Sequence, residues 1–380
     1  MTTYDILKPF EQEIVSQSTL EKKISENRIV VLKGKKTSVL SGEGLSLKIN
    51  ASVGLNSLDG FSTEYKKIQA IKYHPNHPDM MMDLSTQQIS SPLYSIIADE
   101  IGCPVGSIPY YTCFNGKYGI QKNELLETIA KQAESGISFM TLHLTANLKL
   151  AEQAQMRRIP IISRGGSLIL RDMKMNNRPE NILLSCLDDI LSICQKHHVV
   201  INIGTTFRPS TLVDAMDTVN LQELELQKAI ATSLINRGIH VQMEGIGHIP
   251  FFKIPEYVKH LRTDKYIPFM PLGPIVSDRT QGYDHITAAV GASYIGALGG
   301  ADIINAVTRE EHTGGIPTLD SILEAIDVAH TVAKIVNDVR FPKASISTEF
   351  KCHNCMGIPI KNGCSRCGNE CPFIWNDSFI

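Results

Sequence analysis

Two groups of side chains in this sequence could do chemistry that packing alone does not require. The first is a run of cysteines near the C-terminus, spaced Cys352-x2-Cys355-x8-Cys364-x2-Cys367-x3-Cys371. Thiolates in CxxC pairs are metal ligands, and C-x2-C-x8-C-x2-C would surround a tetrahedral zinc ion. Three thiolates would instead leave one iron of a 4Fe-4S cluster open to an external ligand. Spacing alone leaves both readings open. The second group is a series of polar residues that each follow an apolar run. They are Asp83 and Ser85, Tyr111, His143, the loop Ser163-Arg164-Gly165-Gly166-Ser167, Thr205 and Arg208, Glu244 and His248, and Glu311 with His312.

SRGGS combines an anion-pairing Arg, two hydroxyls, and glycines that let backbone N–H groups approach closely, which suits a phosphate. An ordinary turn is its bland alternative, and Arg208 could add a second cation. EGIGH sets Glu244 and His248 four residues apart. With His312, two imidazoles could bind a divalent metal and leave positions open for substrate or water. Hydrogen-bonded core histidines would account for the same residues. GYDH offers Tyr283 or Asp284 to such a pocket, although Asp284 could equally cap the helix that follows.

Elements of regular period must hold these residues. Apolar runs at 80–85, 105–111, 139–144, 159–163, 199–204, 240–245, 267–273 and 301–307 read as strands buried on both faces. Between them lie helical patterns such as KNELLETIAKQAESG, ENILLSCLDDILSICQKHH and LQELELQKAIATSLINRG, and TLDSILEAIDVAHTVAKIVND follows the eighth strand. This alternation predicts the α/β class and a (β/α)8 barrel over residues 43–340, with a doubly wound open sheet as the alternative. The C-terminal ends of barrel strands open into the βα loops, and the polar residues of the second group fall there. Residues 1–42 predict an N-terminal segment, with a helix over 11–27 and a short strand from Ile29. SLKINASVG (46–54) is a further strand candidate, as a plug or cap. Residues 341–380 form a cysteine-rich, metal-binding tail.

The balance of 37 basic and 39 acidic side chains, with no basic stripe, argues against a nucleic-acid partner. No apolar run reaches the ~18 residues that a membrane span needs. The start, MTTYDILKPFEQEI, lacks a signal pattern, so a cytoplasmic location is expected. In a reducing cytosol, clustered thiols favour metal over disulfides.

The chain resembles the phosphomethylpyrimidine synthase family, thiamin-pyrimidine enzymes of the non-standard radical SAM group. The resemblance runs through about residues 46–335. It rests on INASVGLNS, MDLST, PVGSIPYY, ISRGGS, GTTFRPS, DAMDTVNLQELEL, EGIGHIP, PFMPLGPIVSD, GYDHITAAVGA and EEHTGGIP. It implies a homodimeric (β/α)8 barrel whose tail carries a 4Fe-4S cluster that cleaves S-adenosylmethionine. The radical so formed would rearrange 5-aminoimidazole ribonucleotide, a phosphorylated small molecule, into a hydroxymethylpyrimidine phosphate. The anaerobic 5-hydroxybenzimidazole synthase resembles the same family and uses the same substrate. By motif, Asn50, Met82, Tyr111, His143, Ser163, Arg164, Gly165, Arg208 and Glu244 match ribonucleotide-binding positions, and His248 and His312 match a zinc (Zn2+) pair.

Three departures stand out. Thr205 occupies the place of a family aspartate in GDGLRPG, and Met270 that of a tyrosine in PFYTLGP. The family tail C-x2-C-x4-C is not reproduced. Cys364-x2-Cys367-x3-Cys371 is one residue short of it, and Cys352 and Cys355 are the alternative ligands.

Overall fold

A computed structural model describes residues 3–342 and Glu370. Eight parallel strands form one sheet: β3 Lys48–Val53, β4 Met80–Asp83, β5 Val105–Ser107, β6 Phe139–Leu142, β7 Val200–Ile203, β8 Val241–His248, β9 Phe269–Ile275 and β10 Ile303–Asn305. They follow chain order around the sheet except that β10 lies beside β3. On the far side of β10 the Asp302 N–H donates to Phe269 O at 2.9 Å, bringing β10 against β9 and nearly closing the ring. Helices α1 Gln17–Ser25, α2 Phe61–Tyr73, α3 Leu93–Glu100, α4 Lys122–Glu134, α5 Arg164–Met175, α6 Leu187–His197, α7 Thr218–Asn236, α8 Ile254–Leu261, α9 Asp284–Ala297 and α10 Leu319–Arg340 accompany the strands. The fold is the expected (β/α)8 barrel. No described helix is long and apolar enough to cross a membrane.

Two strand expectations exchange places. Residues 46–54 are a barrel stave rather than a plug, since Asn50 pairs with Asn305 on one side and with Met80 on the other. Residues 159–163 form no strand. Pro160 has no N–H to give a ladder, and β6 pairs directly with β7, so the ring has no gap at that point. The β6–β7 crossover is therefore the longest in the barrel, and IPIIS is a loop that delivers Ser163 to the start of α5. The N-terminal helix also breaks: Pro9–Gln12 is one turn, and α1 restarts where Ser16 accepts the Thr19 N–H at 3.3 Å.

An antiparallel hairpin of β1 Ile29–Lys33 and β2 Ser38–Gly42 precedes the barrel. Leu7, Val15, Leu20, Ile29, Leu40 and Leu45 give this segment a small apolar cluster of its own. It presents Glu11 to the buried ammonium of Lys48 at 3.3 Å, at the N-terminal end of β3. Burial pulls the Lys48 pKa down against that carboxylate. A buried pair of this kind contributes little net stability, but losing one partner strands the other charge. The opposite end of the barrel stays free to carry loops.

Candidate functional site

The C-terminal ends of β6 and β7 build the polar centre of the mouth. His143 follows β6 directly and is buried. Its Nε2 lies 2.8 Å from Ser163 Oγ, and its Nδ1 lies 2.5 Å from the Tyr110 hydroxyl. Ser163 is the N-cap of α5, accepting the Gly166 N–H at 3.1 Å. This explains the glycines of SRGGS: a Cβ on Gly166 would meet Thr206 Cα at 2.8 Å, so α5 can approach the next loop only without a side chain there. The helix start thus faces the mouth with its positive dipole end. Burial, helped by Arg208, pushes the His143 pKa down to about 3, so the imidazole is neutral.

Tyr111 sits where three loops converge. The Arg164 guanidinium lies 5.6 Å from its ring centre. Burial pushes the phenol up to about 12, while Arg164 and Arg208 pull it down. Arg164 also donates to Asn56 Oδ1 at 3.2 Å. Arg208, from the loop after β7, donates to Thr205 O at 3.4 Å.

Below them, Glu244 on β8 points into the barrel. Its Oε1 accepts from Thr141 Oγ1 at 3.1 Å and from Asn202 Nδ2 at 2.5 Å. Burial raises its pKa to about 7, with Arg208 the main opposing influence. Asn50 donates to Asn305 Oδ1 at 2.7 Å, and its own buried Oδ1 has no partner. Met82 and Met270 are buried in the strands themselves. Thr205 is engaged within the protein, its hydroxyl donating to Glu223 Oε2 at 2.8 Å. Asp83 and Ser85 are likewise engaged within their loop, Asp83 accepting the N–H groups of Ser85 at 2.9 Å and Tyr94 at 2.8 Å.

The histidine pair comes together from the end of β8 and the loop after β10, His248 Nε2 lying 3.1 Å from His312 Nε2. Asp278 holds His248 Nδ1 at 2.7 Å, and Asp284 holds His312 Nδ1 at 3.0 Å. Asp284 also accepts the His312 N–H at 3.1 Å, and it is not the N-cap of α9. Two imidazoles aimed at one point, each backed by a carboxylate, are a donor set that fits a divalent metal with open positions. Among the described residues no set of three or more His, Cys, Asp or Glu side chains converges on a metal position.

Residues 1–354 match the model of the Radical SAM ThiC family. The chain belongs to that family. Its relatives named phosphomethylpyrimidine synthase include one from Ignicoccus hospitalis, 32% identical over 99% of this chain and 94% of its own. The Carboxydothermus hydrogenoformans protein of that name is 37% identical over 75% of this chain and 68% of its own. The Thermotoga neapolitana one is 32% identical over 88% and 81%.

Membership in the Radical SAM ThiC family makes the chain an enzyme, and the family's name points to S-adenosylmethionine and an iron–sulfur cluster. The cysteines expected to serve that cluster lie outside the described residues. The four described cysteines, Cys103, Cys113, Cys186 and Cys194, are buried thiols. Burial raises the pKa of each, so they stay protonated and are poor ligands. Sequence reasoning passed over Tyr110, Asp278 and Glu223, whose partners are at least 16 residues away in sequence. For Tyr110 the available signal is its place beside Tyr111, whereas Asp278 and Glu223 fall only inside the motifs PFMPLGPIVSD and DAMDTVNLQELEL.

Proposed function

We propose that the chain is a phosphomethylpyrimidine synthase that rearranges 5-aminoimidazole ribonucleotide into the hydroxymethylpyrimidine phosphate used for thiamin. The observation that supports this reading is the start of α5, where Arg164 lies 5.6 Å from the Tyr111 ring centre and Ser163, accepting the Gly166 N–H, stands 2.8 Å from His143 Nε2. Expected ribonucleotide-binding residues from separate loops thus share one small volume.

In this reading Ser163, Arg164, Gly165 and Arg208 hold the phosphate, since two guanidinium groups and a helix start match a dianion. His143 orients Ser163. Asn50, Met82 and Tyr111 line the ribonucleotide. Glu244, titrating near neutrality, can hold or release a proton at the imidazole end. When bound, a 4Fe-4S cluster with S-adenosylmethionine supplies the radical chemistry. Cys364, Cys367 and Cys371 are its proposed ligands, with Cys352 and Cys355 as alternatives. His248 and His312 would hold zinc beside the substrate. Exposed apolar residues Ile286 and Val290 on α9, Leu298 just past its end, and Phe252 beside Phe251, which stacks on Tyr294, support a homodimer.

Anaerobic reconstitution with iron and sulfide, followed by S-adenosylmethionine, a reductant and the ribonucleotide, tests the reading. The expected products are 5′-deoxyadenosine and the pyrimidine phosphate. A protein that binds iron and sulfide but forms neither product overturns it. Hydroxybenzimidazole in place of the pyrimidine would overturn the thiamin assignment.

A further inference from the structure

Tyr110 lies fully buried behind His143, and the phosphate reading gives it no task. Its hydroxyl oxygen is 2.5 Å from His143 Nδ1, and the two rings meet edge to face with 89° between their planes. On the other side of the imidazole, Nε2 stands 2.8 Å from Ser163 Oγ, which also accepts the Gly166 N–H at 3.1 Å. These side chains have no room to rearrange. A Cβ at Gly204 would come within 2.6 Å of His143 Nδ1, and one at Gly165 within 2.7 Å of the Tyr110 hydroxyl.

The hydrogens in this chain of contacts can be assigned by counting donors and acceptors. A neutral imidazole carries one N–H, on either Nδ1 or Nε2. The one partner of the buried phenol is this imidazole, so its hydrogen finds an acceptor at Nδ1. The opposite assignment would leave a buried O–H unpaired, which protein interiors avoid. Nδ1 is then the acceptor, and the ring proton sits on Nε2, donating to Ser163 Oγ. The serine oxygen now accepts two hydrogen bonds, filling both of its lone pairs. Its O–H is left to donate outward. With the other tautomer, Ser163 would turn its hydrogen toward Nε2 and show a lone pair to any anion.

We propose that Tyr110 is a positioning residue: by donating to Nδ1 it holds His143 in the Nε2–H tautomer, which makes the Ser163 hydroxyl an obligatory donor to the ligand phosphate. The proposal rests on the phosphate reading of the site, and two measurements on the full chain separate the two ideas. Nitrogen-15 NMR of histidine-labelled protein reports the tautomer without ligand, with the His143 signals assigned by their loss in His143→Gln. Calorimetry with ribose 5-phosphate reports the consequence.

Wild-type protein should show His143 protonated at Nε2 and bare at Nδ1. Tyr110→Phe, which keeps the ring and loses the hydroxyl, should show a tautomer mixture and about 10-fold weaker binding of ribose 5-phosphate, the worth of one such hydrogen bond. His143 protonated at Nδ1 in the wild type overturns the proposal, and that result needs no variant to fold. A Tyr110→Phe protein with an unchanged tautomer, or with a changed tautomer and unchanged affinity, overturns it as well. Wild-type protein that shows the expected tautomer yet ignores ribose 5-phosphate sinks the phosphate reading instead.

Discussion

His248 and His312 meet through their Nε2 atoms at 3.1 Å, with Asp278 and Asp284 holding the far side of each ring. The two carboxylates fix which nitrogen of each imidazole is free and raise its basicity toward a cation. The pair itself comes from the end of β8 and the loop after β10, so neither element alone could make the site.

Removing a carboxylate should therefore weaken metal binding while leaving both imidazoles in place. Asp284→Ala is expected to lower zinc affinity by about 10- to 100-fold, the usual cost of losing such a partner. Competition with a chelator measures this, using protein whose five tail cysteines are replaced by serine so that thiolates do not mask the site. Equal affinities in the parent and in Asp284→Ala would remove the metal assignment.

Glu244 makes stability depend on pH. Its folded pKa is raised to about 7 by burial, above the ordinary value of 4.5. The folded state thus binds the proton more tightly than the unfolded chain does. Its contribution is fully present below pH 4.5 and is lost as pH rises through about 7. The shift corresponds to about 3 kcal/mol. Glu244→Gln removes the titration, so its melting temperature relative to wild type should rise between about pH 5 and pH 8. A difference that stays flat across this window would show that Glu244 does not titrate there.

Arg208 acts on two buried groups at once. It pulls the Glu244 pKa down and also pushes the His143 pKa down. Arg208→Ala should raise both values, because a cation favours the carboxylate and disfavours the imidazolium. NMR titration of labelled carboxyl and imidazole carbons follows each group separately. Movement of one group without the other would place the guanidinium away from the silent one. Ribose 5-phosphate binding should fall by about 10- to 100-fold in the same variant, as expected for losing a charged hydrogen-bond donor.

The barrel is legible in the sequence because strands buried on both faces give unbroken apolar runs, and seven of the eight staves coincide with such runs. The exception teaches the limit of that signal. IPIIS and SLKINASVG are both short and apolar in part, and periodicity cannot tell a stave from a loop at that length. Only pairing decides, and β3 pairs through Asn50 on both sides while residues 159–163 join no ladder. The site is legible through strand ends and family motifs. Its supporting residues are hidden, because Tyr110 reaches His143 across 33 positions and Asp278 reaches His248 across 30.

Thr205 shows how such hidden support changes the meaning of a substitution. The resembling family carries an aspartate here, which suggests that restoring it would be harmless. Yet Glu223, fully buried, already gathers donors from Thr145 Oγ1 at 2.6 Å, Thr205 Oγ1 at 2.8 Å, and the N–H groups of Thr206 at 2.6 Å and Phe207 at 2.8 Å. An aspartate in place of Thr205 would take away one donor and set a second carboxylate beside a buried one. Burial already raises the Glu223 pKa, and a neighbouring charge would raise it further. Thr205→Asp should therefore cost about 2 kcal/mol at about pH 8. The cost should shrink as pH falls toward about 5, where one proton shared by the pair restores a donor. Melting curves at the two pH values decide it. A loss equal at both would mean that the introduced carboxylate turns into the mouth instead, toward the ligand.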